Sequence, residues 1–328
     1  MDIKEIVASY AAELAAVKEI MTQSLRSDVR LLDSVNKSLS GVSGKMLRPL
    51  VTLLCAKACS GDAPAGGDTL LFASASELLH NATLMHDDVI DDAPLRRGRP
   101  TVSSLLSPKG AVLIGDWWLV KAVSNILAAE KESEKAIRIF SKTISDLAEA
   151  ELRQMEKASD ASATEDDYFR IIYGKTASLF EAAAVSGALS AGATGAETEA
   201  IREYAVNAGL AFQIKDDMLD YGDSSLLGKP CGTDLREQKV TLPLLGALSR
   251  VAPSEALEVR RRVSALGDNP SDVGGVRDFV LENGGLEYSE QVLGQYIGKA
   301  VAALSKLPPT KAREDLAQIA AFIGDRES

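Results

Sequence analysis

The pattern Asp-Asp-x-x-Asp occurs twice in this chain, as Asp87, Asp88 and Asp91, followed at once by Asp92, and again as Asp216, Asp217 and Asp220. With 24 aspartates in 328 residues, chance gives roughly 0.13 such matches, so a pair is rarer than one in a hundred. At 3.6 residues per turn, the first and last Asp of each set share one face of a helix. On a solvated face, like charges four residues apart cost only a few tenths of a kcal/mol, and one such set alone is as readily a surface feature as a site. In a cleft, two charges ~5 Å apart at an effective dielectric of ~20 repel by roughly 3 kcal/mol, and a cation is required. Oxygen donors without nearby His or Cys suit a hard ion, and magnesium is commonly held by one or two carboxylates together with waters and substrate phosphates. An EF-hand does not fit, because Tyr221 stands where that loop needs glycine.

In an acidic chain the basic clusters are informative. Lys45 and Arg48 lie in GVSGKMLRP, just before Pro49, at a loop-to-helix entry where backbone N–H groups also favour anions. This is not a Walker A loop, since the first glycine is missing and Met46 occupies the Ser/Thr position. Arg96, Arg97 and Arg99 follow the first acidic set directly, and arginine is suited to bidentate phosphate binding. Gly174-Lys175-Thr176 and Gly228-Lys229-Pro230 supply two more lysines, with Lys239 beyond. Each alone is more often a surface lysine than a ligand. Together they describe a site for two polyanions, one bridged through metal to the aspartates and one held directly by Lys and Arg.

The elements that must carry these residues are helices. Ile3, Ile6, Val7, Tyr10, Leu14, Val17 and Met21 are spaced by three or four, one amphipathic stripe. Similar spacing predicts helices over 47–59, 70–91, 111–130, 133–157, 165–190, 196–220, 255–266, 273–283, 287–305 and 310–323. Aromatic content is 5%, and there is no sustained alternation of period two, so strands are disfavoured on propensity and pattern. Two longer irregular stretches, 93–110 and 221–239, follow the acidic sets, and long loops in compact domains are more often functional than idle. No linker, repeat or low-complexity tract divides the chain, which predicts one domain over 1–328 although the length prior is roughly two.

Composition bounds the function. Thirty-six basic against 47 acidic residues give a net charge of -11, which argues against generic attraction to nucleic acid or to an anionic membrane. With 46% hydrophobic residues, wholesale disorder is excluded. Cys55, Cys59 and Cys231 show neither metal-knuckle spacing nor an even count, which fits a reducing compartment. The first residues lack a signal-peptide pattern, and no run approaches the roughly 18 apolar residues of a membrane span. A cytoplasmic, membrane-free protein is expected.

At this point the chain resembles the trans-isoprenyl diphosphate synthases, or polyprenyl synthetases. The likeness runs through GKMLRP, HNATLMHDDVIDDAPLRRGRPT, GKTASLF and FQIKDDMLDYGDSSLLGKPCGTDLREQKVTLPLL, nearly the whole chain. It implies an all-α antiparallel helical bundle around a deep central cavity, usually a homodimer, with the two aspartate sets facing each other at the cavity mouth. Carried over by position, it implies that Asp87, Asp91 and Asp216 bind three Mg²⁺ ions that clamp an allylic prenyl diphosphate, with Asp220 as an alternate or indirect ligand. It assigns Arg96, Lys175 and Lys229 to the allylic diphosphate, with Gln213 and Lys239 nearby. Lys45, Arg48, His80 and Arg97 fall to isopentenyl diphosphate, although His80 read alone is a buried polar residue capped by a carbonyl. Thr176 falls where a hydroxyl and a helix distortion stabilise the allylic cation. Catalysis is then largely electrostatic, and no protein nucleophile is needed.

Product length rests on the residues four and five before Asp87. In the family, bulky side chains there block the cavity of short-chain enzymes, and here they are the small Thr83 and Ala82. The expectation is a long chain, around octaprenyl, with geranylgeranyl or farnesyl as the alternative. One departure is visible: the family commonly reads Glu-Gly-Lys before its Thr-Leu-Pro, and this chain has Glu237, Gln238, Lys239. Two rivals are a class I terpene cyclase, which has no use for the Lys45, Arg48 and Arg97 pocket, and a non-catalytic partner subunit, which typically loses an aspartate motif.

Overall fold

The computed structural model describes residues 3–40, 46–96, 98–159, 161–222 and 232–326. Among these the regular structure is helical apart from a two-stranded antiparallel ribbon, Leu95–Arg96 against Arg99–Pro100. Its contacts divide it into two compact units, the first made of Met1–Ser141, Ala182–Ile201 and Leu307–Leu316, the second of Lys142–Glu181, Arg202–Lys306 and Ala317–Ser328.

The first unit opens with α1 (Ile3–Ser9) and α2 (Ala11–Ser24). The sequence stripe predicts one helix here, but Tyr10 leaves helical geometry at φ -112°, ψ 21°. Its buried hydroxyl donates to Asp315 Oδ2 at 2.9 Å, while the Lys57 ammonium lies 5.6 Å from its ring centre and pairs with Glu13 at 3.0 Å. A tertiary anchor thus overrides local periodicity. After α3 (Arg30–Ser40), which the periodicity did not indicate, come α4 (Leu47–Ser60) and α5 (Gly67–Ile90), then α6 (Val102–Leu105) and α7 (Pro108–Leu127).

Helix α5 packs on α2, α4 and α7. Small residues allow this: Ala73, Ser74, Ala75, Ser76 and Ala82 on α5 and Ala111, Gly115 and Ala122 on α7 are all buried. Gly115 admits the His86 ring, whose Cδ2 would lie 2.6 Å from a Cβ at that position. Among the described residues, α7 is long and apolar enough to cross a membrane by length and composition alone, contrary to the reading of the sequence. One stripe of it, including Ala111, Ile114, Trp118, Ala122 and Ile126, is nevertheless buried within this unit.

The remaining helices are α8 (Ser133–Ala158), α9 (Glu165–Ile172), α10 (Ser178–Ser190), α11 (Gly195–Leu219), α12 (Thr233–Arg236), α13 (Leu242–Leu248), α14 (Pro253–Ser264), α15 (Val273–Glu282), α16 (Gly285–Leu304) and α17 (Lys311–Asp325). In the second unit α13 packs on α9, α15 and α16. The continuous helix predicted over 165–190 is instead interrupted by a π-turn at Tyr173–Ala177. There the Ser178 N–H bonds to the Tyr173 carbonyl, and the Ser178 hydroxyl donates to the Gly174 carbonyl at 2.7 Å. Gly174 lets α8 pack close against the turn, since a Cβ there would lie 2.5 Å from that of Ala150. Such single-turn bulges in α-helices concentrate at functional sites.

Candidate active site

Each acidic set sits where a helix ends. In the first unit, Asp87 is half-buried on the last turn of α5 and Asp91 is the exposed residue that caps it. The Asp91 N–H still bonds to the Asp87 carbonyl at 2.8 Å, so the helical register carries through to Asp91 and keeps the two on one face. Asp88 is buried, and its Oδ1 accepts from Arg96 Nε at 2.6 Å. The ribbon that begins at Leu95 therefore brings Arg96 back to α5, tethered to the one aspartate of the set that the sequence had given no role. His80 is half-buried two turns earlier on α5, and the Thr83 hydroxyl donates to its carbonyl at 2.8 Å. Arg48 is half-buried in the first turn of α4, which follows Met46 in the left-handed region at φ 50°. Lys45 and Arg97 lie outside the described residues.

In the second unit, the three aspartates at the end of α11 differ sharply. Asp216 is exposed, and its Oδ1 is 3.1 Å from Arg326 Nη2. Asp217 is buried; its Oδ2 accepts from the Tyr168 hydroxyl at 2.7 Å and its Oδ1 from Gln213 Nε2 at 2.8 Å. Asp220 accepts the backbone N–H groups of Thr233 at 3.1 Å and Asp234 at 3.0 Å, which ties the start of α12 to the end of α11. Arg277 adds a second tie, donating to the carbonyls of Tyr221 at 3.1 Å and Gly222 at 2.9 Å. Lys229 lies outside the described residues.

The π-turn carries Lys175 and Thr176. Lys175 Nζ pairs with Glu151 at 2.6 Å and donates to Gln154 Oε1 at 3.1 Å. The buried Thr176 hydroxyl donates to Gln213 Oε1 at 2.6 Å, so the distortion expected at Thr176 is present and connects to α11. Tyr168, Lys175, Gln213, Asp217, Asp234 and Lys239 line one pocket of this unit. Gln238, the departure from the family pattern, adopts φ 57°, the left-handed conformation a glycine would take without strain. Its amide donates to the Ser264 carbonyl at 2.8 Å, and the following Lys239 pairs with Asp234 at 3.6 Å and with Glu237.

The electrostatics of this cluster fit a cation. Burial first, then the Asp234 carboxylate, push Asp217 well above the usual carboxylate range, against the pull of the Tyr168 and Gln213 hydrogen bonds. Burial likewise raises Asp234, with Lys239 opposing and Asp220, Glu237 and Asp216 adding. Burial also raises Asp220, opposed by the two backbone N–H groups it accepts. Burial and mutual repulsion of carboxylates are what a hard cation relieves, and the donors here are all oxygen. Among the described residues no three His, Cys, Asp or Glu side chains converge on one point to hold a metal ion.

Tyr168, Asp234, Arg326 and the Asp88–Arg96 pair escaped the reading of the sequence. Tyr168 had one faint signal, eight residues before Thr176 at helical spacing. Arg326 had none, because its partner Asp216 is distant in sequence.

An all-α chain with two aspartate-rich helix ends and a π-turn presenting a lysine and a threonine matches the pattern of the prenyl synthases that the sequence resembles. The chain belongs to the polyprenyl synthetase family, whose model matches residues 29–279. It is 34% identical over 328 residues to an octaprenyl diphosphate synthase of Escherichia coli K12, covering all of both chains. It is also 34% identical to a short chain isoprenyl diphosphate synthase of Methanothermobacter thermautotrophicus, covering 100% of this chain and 99% of that one. Among solved structures it is similar to a polyprenyl synthase from Caulobacter crescentus CB15 complexed with calcium and isoprenyl diphosphate, at TM-score 0.89 and 36% identity over 100% of this chain and 98% of that one. The protein is thus a prenyltransferase of a metal-dependent family whose substrates are isopentenyl and allylic diphosphates.

Proposed function

We propose that the chain condenses isopentenyl diphosphate head-to-tail with an allylic diphosphate to give an all-trans product of about octaprenyl length, using three Mg²⁺ ions. The observation that carries this reading is the hydrogen-bonded chain from the crowded carboxylates of α11 through Gln213 to Thr176 on the π-turn, beside Lys175. Asp87, Asp91 and Asp216, with Asp220 behind them, are the proposed ion ligands. The ions, when bound, supply charge neutralisation for the departing diphosphate. Arg96, Lys175, Lys229 and Lys239 bind that diphosphate and stabilise the negative charge it develops as the allylic carbon–oxygen bond breaks. Thr176 turns its hydroxyl oxygen toward the allylic cation, and Gln213 accepts that hydroxyl's hydrogen. Lys45, Arg48, His80 and Arg97 hold isopentenyl diphosphate, whose double bond attacks the cation, and the released diphosphate takes the proton lost in the last step.

The long-chain reading is supported by the small residues before Asp87: Ala82 is fully buried and Thr83 half-buried on α5, with no bulky side chain at either position. Equal identity to octaprenyl and short-chain relatives does not rank the products. The family model runs through segments of both compact units, which supports one functional domain over 1–328. A homodimer is proposed as well: exposed Leu113, Val120 and Leu127 recur every seventh residue on α7, an apolar stripe suited to a second copy.

The test is to incubate the protein with radiolabelled isopentenyl diphosphate, farnesyl diphosphate and Mg²⁺, and to size the dephosphorylated products. A ladder reaching about eight isoprene units is expected. One ending at farnesyl or geranylgeranyl overturns the chain length. Diphosphate release without added isopentenyl diphosphate indicates a cyclase, and none at all indicates a non-catalytic subunit.

A further inference from the structure

We propose that Tyr168 is a positioning residue for the condensation, fixing through Asp217 and Gln213 the direction in which the Thr176 hydroxyl presents its lone pairs. The inference rests on the prenyltransfer reading above and adds a residue to it.

Tyr168 is rigid. Its side chain is buried in α9, and its ring meets that of Phe169 edge-on, with centroids 5.4 Å apart at 71°. The hydroxyl points at Asp217 Oδ2, 2.7 Å away. Burial keeps the phenol protonated, and at that distance the hydroxyl is the donor. One carboxylate oxygen is thereby pinned, and the other faces Gln213.

The polarity of the rest follows from what each group can do. The Tyr168 hydroxyl and the Gln213 NH₂, the latter at 2.8 Å, each donate to one oxygen of Asp217, so both oxygens act as acceptors and the Gln213 carbonyl turns the other way. That carbonyl accepts the Thr176 hydroxyl at 2.6 Å. The Thr176 hydrogen is committed to Gln213, and only lone pairs remain for an electron-poor carbon. With the amide reversed, its NH₂ would face Thr176 and the hydroxyl hydrogen would be displaced toward the cation, which has the wrong polarity for stabilising it. The orientation is settled at the far end of the chain by the Tyr168 hydroxyl, because a carboxylate held by one donor alone is free to turn about its bond to Cβ and release the amide. Preorganised dipoles of this kind contribute to rate rather than to substrate binding.

The test compares wild-type protein with Tyr168→Phe, which keeps the edge-on ring and removes one oxygen, in Mg²⁺ with isopentenyl and farnesyl diphosphates. The expected result is kcat lowered 10- to 100-fold, KM for both substrates within about twofold of wild type, and an unchanged circular dichroism spectrum. Combining Tyr168→Phe with Thr176→Ala is expected to lower kcat no further than Thr176→Ala alone, since both act through one hydroxyl. Wild-type kcat in Tyr168→Phe, or losses that multiply in the double variant, overturn the proposal. If Tyr168→Phe does not fold, Gln213→Met decides in its place: the same kcat loss at constant KM supports the chain, and unchanged kcat overturns it. A wild-type protein that forms no product overturns the prenyltransfer reading instead, so the two failures are distinct.

Discussion

Arg326 Nη2 lies 3.1 Å from Asp216 Oδ1 and 2.9 Å from the Phe212 carbonyl, and its guanidinium stacks 4.0 Å over the Phe212 ring. A cation of the chain itself therefore sits on the aspartate proposed as an ion ligand. The Asp216 side chain is 58% exposed, so solvent limits the pair to about 1 kcal/mol or less. Arg326→Ala removes this competitor, and Mg²⁺ titrated calorimetrically into the protein is expected to bind up to about fivefold more tightly. Weaker binding would show that Arg326 assists the ion.

Asp87→Ala tests the first acidic set. Loss of one electrostatic stabiliser of the transition state costs on the order of 10² to 10³ in turnover, and the variant is expected to fall at least that far. Near-normal turnover at saturating Mg²⁺ would remove Asp87 from the site.

Ala82 and Thr83 separate packing from chain length. Ala82 is 0% exposed, so Ala82→Phe overpacks α5 and is expected to cost about 1–3 kcal/mol in chemical denaturation. Thr83 is half-buried and its hydroxyl donates within its own helix, to the His80 carbonyl. Thr83→Phe is expected to keep most of the stability and to shorten the product ladder. An unchanged ladder would locate the length gate elsewhere.

Thr164 and Asp167 start α9 as a reciprocal capping box. Hydrogen bonds from the Thr164 backbone and hydroxyl hold the Asp167 carboxyl below its ordinary value of 3.8. A depressed carboxylate contributes stability that is full above the unfolded pKa and is lost as pH falls through the folded one. Thr164→Ala is expected to cost about 1 kcal/mol near neutral pH, and the gap from wild type should narrow once the pH drops below about 4. A gap that does not vary with pH would show that the charge on Asp167 adds nothing to the cap.

The all-helical character, most of the helix positions, both acidic sets and the Lys175–Thr176 pair were legible from residue types and their spacing, because helical periodicity and four-residue carboxylate spacing are local properties. The departure at Gln238 was legible too, but not that glutamine would adopt the left-handed geometry of the glycine it replaces and brace itself on Ser264. What tertiary structure decided is the role each aspartate takes: Asp88 tethers Arg96, Asp217 is buried between Tyr168 and Gln213, and Asp220 ties the backbone of α12. Within a motif these residues are chemically identical. Only the partners that folding brings from distant sequence, and the water it excludes, set one carboxylate apart from the next.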